Sequence, residues 1–342
     1  MTLLITGACG YIGSHTAMAF LKNTDCKVVV VDNLVTGFID NYKTLRELFG
    51  SRVTFVESNF DAANDVFSTY DIDCVIHFAA SISVEESVKS PLKYYMNNTA
   101  ATSMLLDMCV RHGVKKFIFS STAAVYGEPQ DVPVKEDSPL LPINPYGNSK
   151  KMIEEILKDV SKAHDFNYVA LRYFNVASAY SGNNYNNIAL GQRTKNATHL
   201  IKVACECAVG KREGMSIYGD SYATKDGTCI RDYIHVDDLA DAHITAFNML
   251  NDNKGVNAAY NAGYGHGFSV KQVIDCVKKV SHTDFKVDIA PPRAGDPAVL
   301  IADNSKLKSM GWKARHDDLE QIILGAYLWE KYLLVQDTKV TL

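Results

Sequence analysis

A doubly wound parallel α/β sheet carrying a smaller α+β lobe is the fold this sequence predicts. Three observations predict it. Short β-branched runs alternate with helix-period segments through the first 176 residues. Several of those runs, Val28-Val29-Val30-Val31 above all, are apolar without interruption, as suits strands buried on both faces. After about residue 176 the texture changes to polar loops and shorter elements. Strict alternation of strand and helix implies βαβ units, right-handed crossovers and a parallel, Rossmann-type sheet.

In order, strands are expected over 3–6, 28–32, 53–57, 74–78, 116–120 and 168–173, with helices over 12–21, 41–49, 64–70, 98–112 and 146–164. The Asn/Gly/Ser-rich stretch 179–198 reads as a long loop, a type that is usually functional or mobile. A helix-period run over 197–209, a loop over 219–228 and a later mixture of short elements read as the smaller lobe. Residues 232–250 return to a strand-then-helix pattern with Asp237 and Asp238 at the helix start. The expected division is therefore a dinucleotide domain over 1–176, rejoined by 232–250, and a substrate domain over 177–231 and 251–342.

Composition excludes several function classes. Apolar residues are 47% of the 342 and charged residues 22%, the balance of a water-soluble globular chain. A formal net charge of −4 gives no electrostatic case for a nucleic-acid partner. No apolar run approaches the roughly 18–20 residues that cross a membrane, and the first strand follows Met1 directly, leaving no room for a signal peptide. A cytoplasmic location is expected. The eight scattered cysteines read as buried thiols, because Cys205-Glu206-Cys207 lacks a second pair at zinc spacing. No metal site is expected.

The first strand runs through Thr6-Gly7-Ala8-Cys9-Gly10-Tyr11-Ile12-Gly13 into a helix. Gly7 permits the tight turn, Gly10 lets backbone approach a pyrophosphate, and Gly13 allows close helix–sheet packing. The helix N-terminus supplies N–H groups and partial positive charge for phosphates. Asp32 ends the second strand about 20 residues on, where a carboxylate accepts from a ribose 2′-OH and repels a 2′-phosphate. The cofactor reading is NAD rather than NADP; a plain strand-end turn is the alternative for Asp32.

Pro145-Tyr146-Gly147-Asn148-Ser149-Lys150 opens the helix after the fifth strand. Tyr146 and Lys150 are four apart and share a helix face. A free phenol titrates near 10, so it needs the neighbouring ammonium to act as a base at neutral pH. The fifth strand ends in Ser120-Ser121-Thr122, at the strand ends where such sheets bind ligands. Ser121 and Thr122 are expected beside the nicotinamide, with Thr122 sharing a proton with Tyr146.

These features, with the stretches TGACGYIGSH, HFAAS, PLKYYMNN, FSSTAAVYGEP, NPYGNSK, LRYFNVA, DGTCIRDYIHVDDLADAH and RAGDPAVLIAD, make nearly the whole chain resemble the extended short-chain dehydrogenase/reductase family. Within it the chain looks like the branch that epimerises UDP-hexoses at C4. The resemblance implies Tyr146 as base, Thr122 as hydroxyl partner and Lys150 as electrostatic and ribose-binding support. The implied cofactor shell is Gly7, Gly10, Tyr11, Ile12, Gly13, Asp32, Asn33, Asn59, Phe60, Phe78, Ala79, Ala80, Asn97, Ser120, Tyr146, Lys150 and Tyr173. The implied UDP-sugar contacts are Thr122, Tyr146, Asn175, His199, Leu200, Ser216, Ile217, Tyr218, Arg231, Tyr233, Arg293, Asp296 and Leu300. Chemistry supports the arginines independently, since two guanidinium groups neutralise a diphosphate and Asp296 suits ribose hydroxyls; a surface ion pair is the alternative for each arginine.

Two departures stand out. Asn59-Phe60 occupies the place of an Asp-Ile pair that contacts adenine in many members, and Ile82 that of a cofactor-touching lysine in some.

The chemistry implied is transient oxidation at sugar C4, giving a 4-ketopyranose that turns and is reduced on its other face, with NAD retained. Nucleotide-sugar 4,6-dehydratases share the first step but then use an Asp-Glu pair directly after the active-site Thr. Here those positions are Ala123 and Ala124, which can neither deprotonate nor protonate. A non-catalytic NAD-binding sensor on the same fold is the rival from another class. A large Tyr near the end of RAGDPAVLIAD is associated with excluding N-acetyl groups; Leu300 at that place implies turnover of UDP-GlcNAc and UDP-GalNAc beside UDP-glucose and UDP-galactose. The resemblance also suggests a homodimer, through 98–112 and 146–164 as a four-helix seam.

Overall fold

The computed structural model describes residues 1–180, 182, 189–194, 197–293 and 295–340, with side chains to 336. Strands β1 (Thr2–Thr6), β2 (Lys27–Asp32), β3 (Val53–Glu57), β4 (Cys74–His77), β5 (Lys116–Thr122) and β6 (Asn167–Tyr173) alternate with helices α1 (Tyr11–Asn23), α2 (Ile39–Phe49), α3 (Asn64–Thr69), α4 (Val84–Lys89), α5 (Pro91–Tyr94), α6 (Ala101–Arg111) and α7 (Pro145–Ala163). Beyond them come β7 (Asn175–Ala177), α8 (Leu200–Ala208), β8 (Gly214–Tyr218), β9 (Ile230–Arg231), β10 (Tyr233–His235), α9 (Val236–Asn251) and β11 (Ala258–Ala262). The chain continues through β12 (Phe268–Ser269), α10 (Val270–Ser281), β13 (Lys286–Ala290), β14 (Val299–Leu300), α11 (Ser305–Ser309) and α12 (Leu319–Val340).

Seven strands form one parallel sheet in the order β11-β6-β5-β4-β1-β2-β3. The Val28–Val31 run is buried throughout, as its unbroken apolar pattern requires. Each such side chain contributes roughly 1.5–3 kcal/mol by leaving water. The chain leaves β1 for β2 and β3 on one side, then returns to β4 on the other. The carboxyl ends of β1 and β4 thus mark the topological switch point, where ligands bind in this class of sheet. There the two following loops touch: Gly7 has φ +73°, and a Cβ on it would lie 2.7 Å from the Ala79 amide nitrogen.

The smaller sheets sit beyond the carboxyl ends. β10 pairs with β7, β13 with β8, and β9 lies between β12 and β14. Helix α9 packs along α1. The expectation of a substrate lobe resuming at 251 needs correction, because β11 hydrogen-bonds to β6 along Ala258–Ala262. That pairing covers what would otherwise be an open sheet edge. The expected helix over 98–112 is also corrected. It begins as a wide π-type turn, Tyr95–Ala100, before α6, and the α4–α5 pair preceding it was not anticipated. Nine of the twenty residues of the expected 179–198 loop lie outside the described residues.

Candidate active site

The glycine loop and α1 provide the first part. Gly13 packs so closely that a Cβ would sit 2.5 Å from the Gly7 carbonyl oxygen. Helix α1 has Gly10 at its cap and no side-chain cap, so its first-turn dipole faces the switch point uncompensated by a side chain. The Tyr11 hydroxyl donates to the Ser178 carbonyl at 2.7 Å, tying this turn to the segment after β7. Asp32 is buried at the end of β2, its Oδ2 accepting from the Cys9 amide (3.0 Å) and its Oδ1 from Leu34 (2.9 Å). Burial pushes its pKa up, offset by those two hydrogen bonds. Both oxygens keep accepting capacity for vicinal hydroxyls. An uncapped helix start, a loop that a Cβ would fill and an acidic strand end fit a dinucleotide without a 2′-phosphate.

Around this floor the implied cofactor residues gather, with one exception. Asn33 donates to Asn59 at 2.8 Å on the surface, whereas Phe60 turns into the core against His77. The departure noted at Asn59-Phe60 therefore leaves one polar and one buried side chain. Phe78 lies 4.9 Å from the His243 ring, and the Tyr173 hydroxyl bonds His243 Nε2 at 2.6 Å. Ala79 follows Phe78 into the loop against Gly7, with Ala80 beside it. Asn97 and Asn98, presented by the π-type turn, reach Ser81: Asn98 Oδ1 accepts from the Ser81 amide at 2.8 Å and Asn97 Nδ2 donates to its hydroxyl at 3.3 Å. Ile82, in the place of a lysine, is exposed.

The three residues expected to be catalytic, Thr122, Tyr146 and Lys150, meet where β5 ends and α7 begins. Asn144 caps the helix by accepting from the Gly147 amide at 2.8 Å, a contribution of about 1 kcal/mol. Pro145 occupies the first turn, where its missing N–H loses nothing. Gly147 brings the helix hard against the strand end; a Cβ there would stand 2.5 Å from the Ala124 carbonyl oxygen. This approach brings the Tyr146 phenol beside the Thr122 hydroxyl. One turn on, Lys150 is 2% exposed and donates from Nζ to the Ser120 carbonyl at 2.9 Å. Burial pushes its pKa down to about 7, and pushes the Tyr146 phenol up against the lowering effect of Thr122. The Thr122 hydroxyl also accepts from the Ala124 amide at 3.2 Å, fixing its rotamer.

Ser121 departs from expectation. Strand alternation turns it away from Thr122, and its hydroxyl donates to the buried Glu154 at 2.5 Å. Ser120 takes the place beside the Tyr173 hydroxyl. Glu154 and its partner Arg172 went unnoticed in the sequence, although Glu154 continues the Tyr146–Lys150 spacing by one more turn and Arg172 interrupts an apolar strand.

The implied UDP-sugar contacts line the facing lobe. Asn175 is exposed on β7, in register with Tyr233, which is buried. Ser216, Ile217 and Tyr218 end β8, Ile217 buried and Tyr218 exposed. The Arg293 guanidinium stacks 4.0 Å from the Tyr218 ring centroid. His199 caps α8 and meets Gln192 at 3.1 Å, with Leu200 half-buried behind it. Arg231 pairs with Asp296 at 2.5 Å, so the two expected to hold different parts of a nucleotide hold each other here. Leu300 is in register with Arg231 and packs on a cluster containing Ala123, Val125, Tyr126 and Phe174. The methyl group of Ala123, directly after Thr122, and the proposed specificity position are thereby parts of one wall. Among the described residues no cluster of side chains could hold a metal ion.

The NAD dependent epimerase/dehydratase family model matches residues 3–263. The chain is 45% identical over 335 residues to a UDP-glucose 4-epimerase of Azospirillum brasilense, covering 97% of this chain and 92% of that one. The solved UDP-Glc/GlcNAc 4-epimerase of Campylobacter jejuni is 51% identical, with a TM-score of 0.83 and coverage of 97% and 99%. A UDP-glucose 4-epimerase of Bifidobacterium longum, solved with NAD+ and UDP, is 36% identical with a TM-score of 0.89, covering 97% and 98%. The chain belongs to the NAD-dependent epimerase/dehydratase family.

Proposed function

We infer that this chain is a UDP-hexose 4-epimerase with NAD as its cofactor, interconverting UDP-glucose and UDP-galactose. The carrying observation is Lys150, buried one turn along α7 from Tyr146 and anchored by Nζ on the Ser120 carbonyl, with Thr122 beside the Tyr146 phenol. Bound NAD supplies the hydride acceptor and donor. Tyr146 takes the proton of the sugar 4-OH, and Thr122 passes and returns that proton through its own hydroxyl. Lys150 opposes the phenol's burial by placing a cation nearby, and its anchor on the Ser120 carbonyl holds it in line. Arg231 and Arg293 bind the diphosphate at a distance from C4, with Asp296 on the ribose, so affinity comes from parts of the substrate that do not react. The sugar is then free to turn and present its other face. Ala123 and Ala124 supply neither acid nor base, which disfavours dehydration.

Acceptance of UDP-GlcNAc and UDP-GalNAc is supported by Leu300 and by likeness to the Campylobacter jejuni enzyme. A homodimer is supported by the α5–α7 face. There Leu92, Met96, Met104 and Met152 are exposed beside a groove of about 440 Å³, and a second copy meeting it across a two-fold axis would form a four-helix seam. The free thiols, seven of eight buried, suit a reducing cytoplasm. Incubating the purified protein with UDP-glucose or UDP-GlcNAc and no added NAD tests the reading. The C4 epimer of each should appear. Protein that carries NAD yet turns over no UDP-hexose would favour the sensor.

A further inference from the structure

A buried polar network stands directly behind the catalytic trio, and no step described above uses it. Glu154 lies on α7, one turn past Lys150 and two past Tyr146. Its Oε1 accepts from Ser121 Oγ (2.5 Å) and Arg172 Nε (3.0 Å), and its Oε2 from Arg172 Nη2 (2.6 Å). Arg172 donates its remaining bonds from Nη1 to the Tyr126 hydroxyl (2.8 Å) and the Glu136 carbonyl (2.9 Å). Tyr126 in turn donates to Asn261 on β11 at 2.7 Å. Both charged side chains are nearly sealed from solvent.

Two members adjoin residues of the reacting site. Ser121 precedes Thr122, Arg172 precedes Tyr173, and the two pairs face each other in the β5–β6 register. A two-pronged guanidinium–carboxylate contact fixes distance and rotation together. An apolar pair of equal volume would hold the helix about as stably, but without specifying its register. We propose that Glu154 and Arg172 are positioning residues: their ion pair, with Ser121, sets the rotation and height of α7 against β5 so that Tyr146 meets Thr122 and Lys150 meets Ser120. This inference rests on the epimerase reading. The UDP anchors lie on other elements, so they do not feel this register.

The test compares kcat and KM for the UDP-hexose in holoenzyme of Glu154→Gln, Arg172→Lys and Ser121→Ala. Glu154→Gln and Arg172→Lys should each lower kcat by about ten-fold or more, the scale of sub-ångström misplacement. KM should stay within about two-fold and bound NAD should be unchanged. Arg172→Lys, which keeps the charge but loses the fork, should not rescue. Ser121→Ala, which leaves the ion pair intact and folds, should lower kcat by about three-fold with KM constant. Should the two charged-site variants fail to fold, Ser121→Ala alone decides the matter. Unchanged kcat in any folded variant, or kcat and KM rising and falling together with NAD loss, overturns the proposal. An inactive wild-type chain would instead overturn the epimerase reading.

Discussion

Lys150 donates from Nζ to the carbonyl oxygen of Ser120 at 2.9 Å, and that single backbone contact ties the catalytic helix to the end of the strand that carries Thr122. No carboxylate meets the ammonium among the interactions that shift its pKa, which burial alone pushes down to about 7. The cation proposed to assist Tyr146 is therefore held at the edge of losing its charge near neutral pH.

This has a consequence for stability. In the unfolded chain Lys150 titrates near 10.4, so between pH 7 and 10 the unfolded state binds more protons than the folded one. Unfolding free energy from this group then rises with pH across that window, by up to about 1.4 kcal/mol per unit. Below pH 7 both states are protonated and the slope vanishes. Thermal unfolding of the wild type and Lys150→Met, compared from pH 6 to 9.5, should show the wild type gaining on the variant above pH 7.

Removing the phenol should remove the base and little else. Tyr146→Phe is expected to lower kcat by about 10²–10⁴-fold, with bound NAD and melting temperature close to wild type, because the ring and its edge contact with Tyr94 remain. Steady-state turnover of UDP-galactose and the absorbance of bound cofactor check this.

Gly147→Ala probes the approach of α7 to the strand end. A methyl group 2.5 Å from the Ala124 carbonyl oxygen forces the helix outward by a fraction of an ångström. Turnover should fall by about ten-fold or more, while NAD should be retained, because the glycine loop and Asp32 proposed to hold it are untouched. Measuring kcat beside cofactor content separates the two effects.

Leu300→Tyr tests the wall shared with Ala123 and Phe174. Filling it should lower kcat/KM for UDP-GlcNAc by about ten-fold or more and leave UDP-glucose within a few-fold, the discrimination a shape change in an apolar pocket supplies. Parallel assays with both substrates measure the ratio.

Much of this was readable from residue order. The period-2 and period-3.6 runs located six of the seven main strands, because uninterrupted apolar segments have few alternatives to a strand buried on both faces. The seventh, Ala258–Ala262, was hidden because its Ala-Ala-Tyr-Asn-Ala run carries no β-branched residue; its pairing with the open edge of β6 makes it a strand. At the site, Tyr146, Lys150 and Thr122 were legible from local spacing. Ser121 was misassigned, since a Ser-Ser-Thr run does not reveal which hydroxyl faces which layer. The Arg231–Asp296 pair joins positions 65 residues apart, a closeness that depends on β9 and β14 lying side by side.

The most direct test follows a label at the reacting carbon. UDP-galactose carrying deuterium at C4 is converted by the purified protein, and the UDP-glucose formed is examined for deuterium at C4. Transient oxidation with return of the same hydride predicts that the label stays at C4, with none exchanged into water. Loss of the label to solvent would contradict the account.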